Sequence, residues 1–107
     1  MIFRVAVVPR AQLDIEQIYD FIATVQQSPL GAQRWLDGVE RAIRSLATSP
    51  RRGRAVREQA WLGSNHELRQ ILYHKHRILY SVEQDLVLVL HVRRGSRRDL
   101  ESGDLEG

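Results

Sequence analysis

The sequence predicts an α+β domain of order β-α-α-β-β-β, a helical hairpin packed on one face of a small, mainly antiparallel sheet. Three features carry that expectation. Apolar residues fall at helical spacing through two stretches between positions 11 and 47. Three short β-branched runs then follow between 67 and 92, joined by the brief connections HKH and EQD. The chain opens with one more apolar run, halted by Pro9. Helices grouped ahead of a run of strands segregate to one side of the sheet those strands form.

Ile2–Val8 reads as a strand, ended by a proline that cannot extend a ladder. Ala11, Ile15, Ile18, Ile22 and Val25 lay one apolar stripe along a first helix, with Asp14, Glu16, Gln17 and Asp20 on its other faces. Ser28-Pro29 restarts a helix, serine as cap and proline at the first helical position. Trp35, Val39, Ala42, Ile43 and Leu46 carry the second stripe to about Ala47, and Ser49-Pro50 ends it. The short joint at Gln26–Ser28 makes the pair an antiparallel hairpin. Residues 51–65 show no period and form a long basic connection. The strands Glu67–Tyr73, Arg77–Val82 and Leu86–Val92 form a meander, since connections this short leave no room for a crossover. The last strand is apolar on both faces until His91, which places it inside the sheet. The uncovered face of the sheet is expected to be partly polar and to carry the arginines. Residues 1–98 are read as a single domain and 99–107 as an acidic, flexible tail.

Composition excludes several classes. The chain has no cysteine, which removes disulfides, thiolate metal sites and cysteine nucleophiles. No apolar run approaches the roughly 20 residues that span a bilayer, and the N-terminus lacks the pattern of a secretory signal; a cytoplasmic protein is expected. No serine sits in a nucleophile elbow and no glycine-rich loop has a phosphate-binding spacing, so hydrolase, kinase and nucleotide-binding readings lack support and no cofactor is expected.

The net charge of +3 conceals an asymmetry. Residues 1–50 balance five arginines with five acids, residues 51–98 set eleven cations against four acids, and residues 99–107 hold four acids and no base. Fifteen of the sixteen basic residues are arginine, whose planar fork grips phosphates and carboxylates bidentately. The densest group is Arg93, Arg94, Arg97 and Arg98 after the last strand. It fits an acidic protein surface, nucleic-acid phosphates or local pairing with Asp99 and Glu101. Arg77, at the edge of the meander, is open to target contact or to a salt bridge with Glu67 or Glu83. Arg51, Arg52, Arg54 and Arg57 in the connection supply general attraction, with Arg54 and Arg57 as candidate partner contacts. Trp61 beside them either plugs the helix–sheet seam or anchors a partner. His74 and His76 form an H-x-H pair with no further ligand placed by sequence, so no metal site is expected. His91, in an apolar strand, is a candidate acid or base, or a hydrogen-bonded half-buried histidine.

The stretch ELRQILYHKHRILYSVEQDLVLVLHVRRGSRR resembles the C-terminal half of RelE/ParE superfamily toxins: a hairpin entering through an arginine into an I-L-Y strand, an acidic turn, a hydrophobic strand and a basic G-x-R-R exit. SPLGAQRWLDGVERAIRSLATSPRRGR is similar to the second helix and basic loop of the same superfamily. The resemblance implies the toxin of a type II toxin–antitoxin system, causing growth arrest, linked to plasmid stabilization and held in check by a cognate antitoxin. Its RelE-like branch cleaves mRNA on the ribosome, and would assign catalytic roles to Arg77 and Arg97. That branch also uses lysines on the strand before the hairpin and a tyrosine or histidine near the C-terminus. ELRQILY has no lysine and DLESGDLEG neither tyrosine nor histidine. Two arginines stabilise phosphate charge but move no proton, so His91 or a substrate group would have to replace the missing acid or base. The ParE-like branch, which poisons DNA gyrase by protein contact, is the nearer resemblance through the long helical hairpin, the absent lysines and the arginine-rich exit. For it, Arg77, Arg93, Arg94, Arg97 and Arg98 are the expected target-binding residues. A degenerate toxin kept only as a binding module is the third reading.

Overall fold

The computed structural model describes residues 2–56 and 67–95. Strand β1 (Arg4–Val7) leads into helix α1 (Pro9–Asp20), which begins on its proline as expected for a residue with no N–H to donate. A π-helical turn over Phe21–Val25 prolongs α1. Helix α2 (Pro29–Ser45) starts where the Ser28 hydroxyl accepts the Gly31 N–H at 3.1 Å. Strands β2 (Arg54–Ala55), β3 (Glu67–Tyr73), β4 (His76–Glu83) and β5 (Leu86–Arg94) follow among the described residues. No helix among the described residues is long and apolar enough to cross a membrane.

The five strands form one sheet in the order β1-β5-β4-β3-β2, with β1 parallel to β5 and every other pair antiparallel. The predicted α+β fold is therefore the observed one, and β5 lies inside the sheet as its two apolar faces required. The helical hairpin covers one face, where Ala11, Ile15, Trp35, Val39 and Ile43 pack on Ile71, Ile78, Tyr80, Val82, Val87, Val89 and Val92.

Four details depart from the sequence reading. The connection after α2 contains β2, two residues paired to Arg69 and Gln70, in a stretch read as structureless. Strand β4 starts at His76 rather than Arg77, which shortens the HKH joint to a two-residue turn with His74 at φ 53°. Val25, assigned to the buried stripe, is 65% exposed. A π turn holds an extra residue and rotates the positions beyond it off the helical phase, as the Gln26 N–H to Phe21 carbonyl bond records. The sheet face opposite the helices is also less polar than expected: Val56, Leu68, Leu79 and Leu90 make a second apolar cluster there, beside buried Gln70 and Ser81.

Candidate functional site

At the end of the sheet where the β3–β4 turn meets the end of β5, a cleft of about 620 Å³ opens against the helical hairpin. Its helix wall is mixed: Ile18, Phe21 and Ile22 from α1 and its π turn and Trp35 from α2 are apolar, with Asp14, Gln17 and Gln26 among them. Its sheet wall is cationic: His74, Lys75, His76 and Arg77 from the hairpin, Arg93 and Arg94 from β5.

Strand register assembles the cationic wall. In the β4–β5 ladder His76 faces Arg94 and Arg77 faces Arg93. The register thus brings the Arg77 and Arg93 guanidinium groups to one ladder position. The ladder also holds a bulge. Leu79 faces His91 and Tyr80 faces Val89, leaving Leu90 as the extra residue. Val89 and Val92, three residues apart, consequently both enter the helix-side core, where strict alternation would place them on opposite faces.

Asp14 ties α1 to this end of β5. Strand β1 stops pairing at Val7 opposite Val89, and the Val8 N–H bonded to the Val89 carbonyl closes that ladder. Beyond it the Val92 N–H donates to Asp14 Oδ2 at 3.1 Å, so a side chain replaces the strand that has run out. The same carboxylate lies 3.3 Å from Arg10 Nε and 3.4 Å from His91 Nδ1. His91 Nδ1 meets Asp14 at ion-pair distance but without hydrogen-bond geometry. Burial and the neighbouring Arg93 hold the His91 pKa below the usual histidine value, against the opposing pull of Asp14.

Trp35 and His76 form the junction of the two walls. The indole Nε1–H donates to His76 Nδ1 at 3.3 Å, with the rings edge to face at 5.3 Å. Burial lowers the His76 pKa, and Arg94, His74 and Lys75 lower it further, so His76 is neutral near pH 7 and keeps its acceptor nitrogen.

The sequence candidates fall into three groups. Arg77, Arg93 and Arg94 come together on the cleft. Arg77 is not the edge residue expected but is 4% exposed, because β4 runs between two neighbours. Of the two partners suggested for it, Glu67 or Glu83, the first is bound by Arg51 and Arg69. His91 and Arg54 are placed but do not line the cleft, Arg54 standing on exposed β2. Arg57, Trp61, Arg97 and Arg98 lie outside the described residues. Three of the described arginines, Arg77, Arg93 and Arg94, thus border the cleft between sheet and helices, where the uncovered face was expected to carry them. Sequence reasoning missed Lys75 and Phe21 as cleft residues, and Asp14 as a buried acid. The one available hint was an aspartate only one residue ahead of the apolar stripe position Ile15. Among the described residues, no cluster of three or more histidine, aspartate or glutamate side chains is placed to hold a metal ion.

A surface with apolar side chains on one wall and cations on the other accommodates an amphipathic, acidic segment of another macromolecule. Comparison with known proteins bears on which one. The family model described as ParE toxin of type II toxin–antitoxin system, parDE, matches residues 5–99. Among solved structures, the chain is similar to one of the chromosomal ParDE TA system from P. aeruginosa, at a TM-score of 0.70 and 16% identity, over 89% of this chain and 98% of that one. No curated protein matches.

Proposed function

Since this chain belongs to the ParE toxin family of type II toxin–antitoxin systems, we propose that it arrests growth in the cytoplasm by binding DNA gyrase through the cationic cleft. A cognate antitoxin, by the same proposal, neutralises it by covering that surface. The observation that carries the reading is the cationic wall itself. Lys75, Arg93 and Arg94 make no ion pair among the described residues, and Arg77 is held opposite Arg93. Acidic groups of a bound partner would pair with Lys75, Arg93 and Arg94. Cleavage of mRNA would need a proton-transfer group beside Arg77; the candidate His91 does not line the cleft, and His76, which does, spends its Nδ1 on the Trp35 indole N–H.

The test compares the wild-type chain with Arg93→Glu/Arg94→Glu in gyrase supercoiling and ribosome-dependent mRNA cleavage. The wild type should inhibit supercoiling, and the variant should need at least about tenfold more protein, a loss of roughly 1.4 kcal/mol or greater. Cut mRNA with untouched supercoiling would overturn the proposal. Antitoxin binding should weaken in parallel, measured by titration of the purified pair.

A further inference from the structure

We propose that the acidic C-terminal segment of this chain, residues 99–107, docks in cis in the cationic cleft and shields it. The point at which the described chain ends is the first observation. The Gly95 N–H donates to the Lys75 carbonyl at 2.9 Å, so the backbone leaves β5 at the rim formed by Lys75 and Arg94. Twelve residues remain, 96–107, with an extended reach of about 40 Å. A return into the cleft requires only a small part of that length.

Charge selects the occupant. Asp99, Glu101, Asp104 and Glu106 fall within eight consecutive residues, and the cleft cations Lys75, Arg93 and Arg94 make no ion pair among the described residues. Leu100 and Leu105 alternate with those acids and match the apolar side chains of Ile18, Phe21 and Ile22. A second copy of the chain is a poorer fit, because its net charge of +3 is repelled by a cationic cleft. The family match covers residues 5–99, so all of the segment but Asp99 follows it. Tethering raises the local concentration of the segment far above that of a free competitor, so weak individual contacts suffice. Any partner must displace it. That regulatory consequence rests on the cleft being the target-binding surface; the docking itself does not.

The chain lacks cysteine, so Glu106→Cys offers a unique position for a nitroxide spin label in the full-length protein. Paramagnetic broadening should be strongest at the Trp35 indole N–H and at the amides of Lys75, His76 and Arg93. It should vanish at about 1 M salt, where the screening length is roughly 3 Å. It should also vanish in Arg93→Gln/Arg94→Gln and, with the folded domain untouched, in Glu101→Gln/Asp104→Asn. Broadening that ignores salt and both variants would mean an undirected tail and overturn the proposal. Broadening seen only in a mixture of spin-labelled and isotope-labelled chains would assign the contact to a second copy and also overturn it. Gyrase inhibition is read separately: Glu101→Gln/Asp104→Asn should strengthen it. Docking demonstrated by the label with inhibition unchanged would uphold the shield and count against the cleft as the gyrase surface.

Discussion

The Tyr80 hydroxyl, deep in the core, donates to the Pro50 carbonyl at 2.7 Å and accepts the Gly53 N–H at 3.1 Å. It thereby ties the connection after α2 to β4, and burial pushes its pKa up from the usual phenol value. Tyr80→Phe leaves both backbone groups without that partner and should cost about 1–3 kcal/mol, measured by chemical denaturation. Gly53→Ala should cost at least as much, because a Cβ there would come within 2.5 Å of the Gln70 carbonyl oxygen and of the Tyr80 hydroxyl. The two histidines give a pH dependence. His76 faces Arg94, His74 and Lys75, and His91 faces Arg93, Asp14 and Arg10; both have pKa values lowered in the fold, with burial the largest cause. The unfolded chain therefore binds protons first as pH falls below the ordinary histidine value of about 6.5. Stability should be full above that pH, decline below it, and level off once the folded-state values are passed. Thermal melts across this range test it: His76→Gln should reduce the slope, and a profile unchanged in that variant would mean His76 contributes nothing.

Between elements, the Asp14 carboxylate joins the first helix to the free edge of β5. Asp14→Ala would strand the Val92 N–H and remove the partner of Arg10, at a cost of about 2–4 kcal/mol. Because the same residue ties the helix wall to β5, the Trp35 indole resonance should shift as well; Asp14→Asn, which keeps an acceptor oxygen, should recover part of the stability. The β4–β5 turn offers the opposite kind of change. Gln84 holds φ 42°, a conformation costly for any side chain, so Gln84→Gly should stabilise the protein by about 1 kcal/mol if nothing else moves. The sequence declared both helices and the three long strands by periodicity alone. It did not declare the π turn, the bulge at Leu90 or the two residues of β2. Each of these is fixed by what lies opposite in space: β2 by the edge of β3, the bulge by the need to turn Val92 inward.

For the whole molecule, the separation of charge along the chain becomes a separation in space. Cations from the hairpin and the end of β5 meet at one end of the sheet, while Glu67 is consumed in the network with Arg51 and Arg69. Association through the cleft should accordingly weaken with salt, and the slope should fall in Arg93→Glu/Arg94→Glu, as isothermal titration over a salt series would show. A salt-independent affinity would point to the apolar cluster at Val56, Leu68 and Leu79 as the binding surface instead.

What the sequence determined by itself was local or additive: two amphipathic helices, a buried final strand, the pattern of a toxin family, and an excess of arginine ahead of an acidic end. Tertiary structure decided where the charge goes. Arg77 and Arg93 stand sixteen positions apart and become neighbours only through an antiparallel register offset by a bulge, and Asp14 finds its partner seventy-eight positions away. Periodicity reports which face of its own element a residue takes; it carries no record of the neighbour that the closed chain brings to that face.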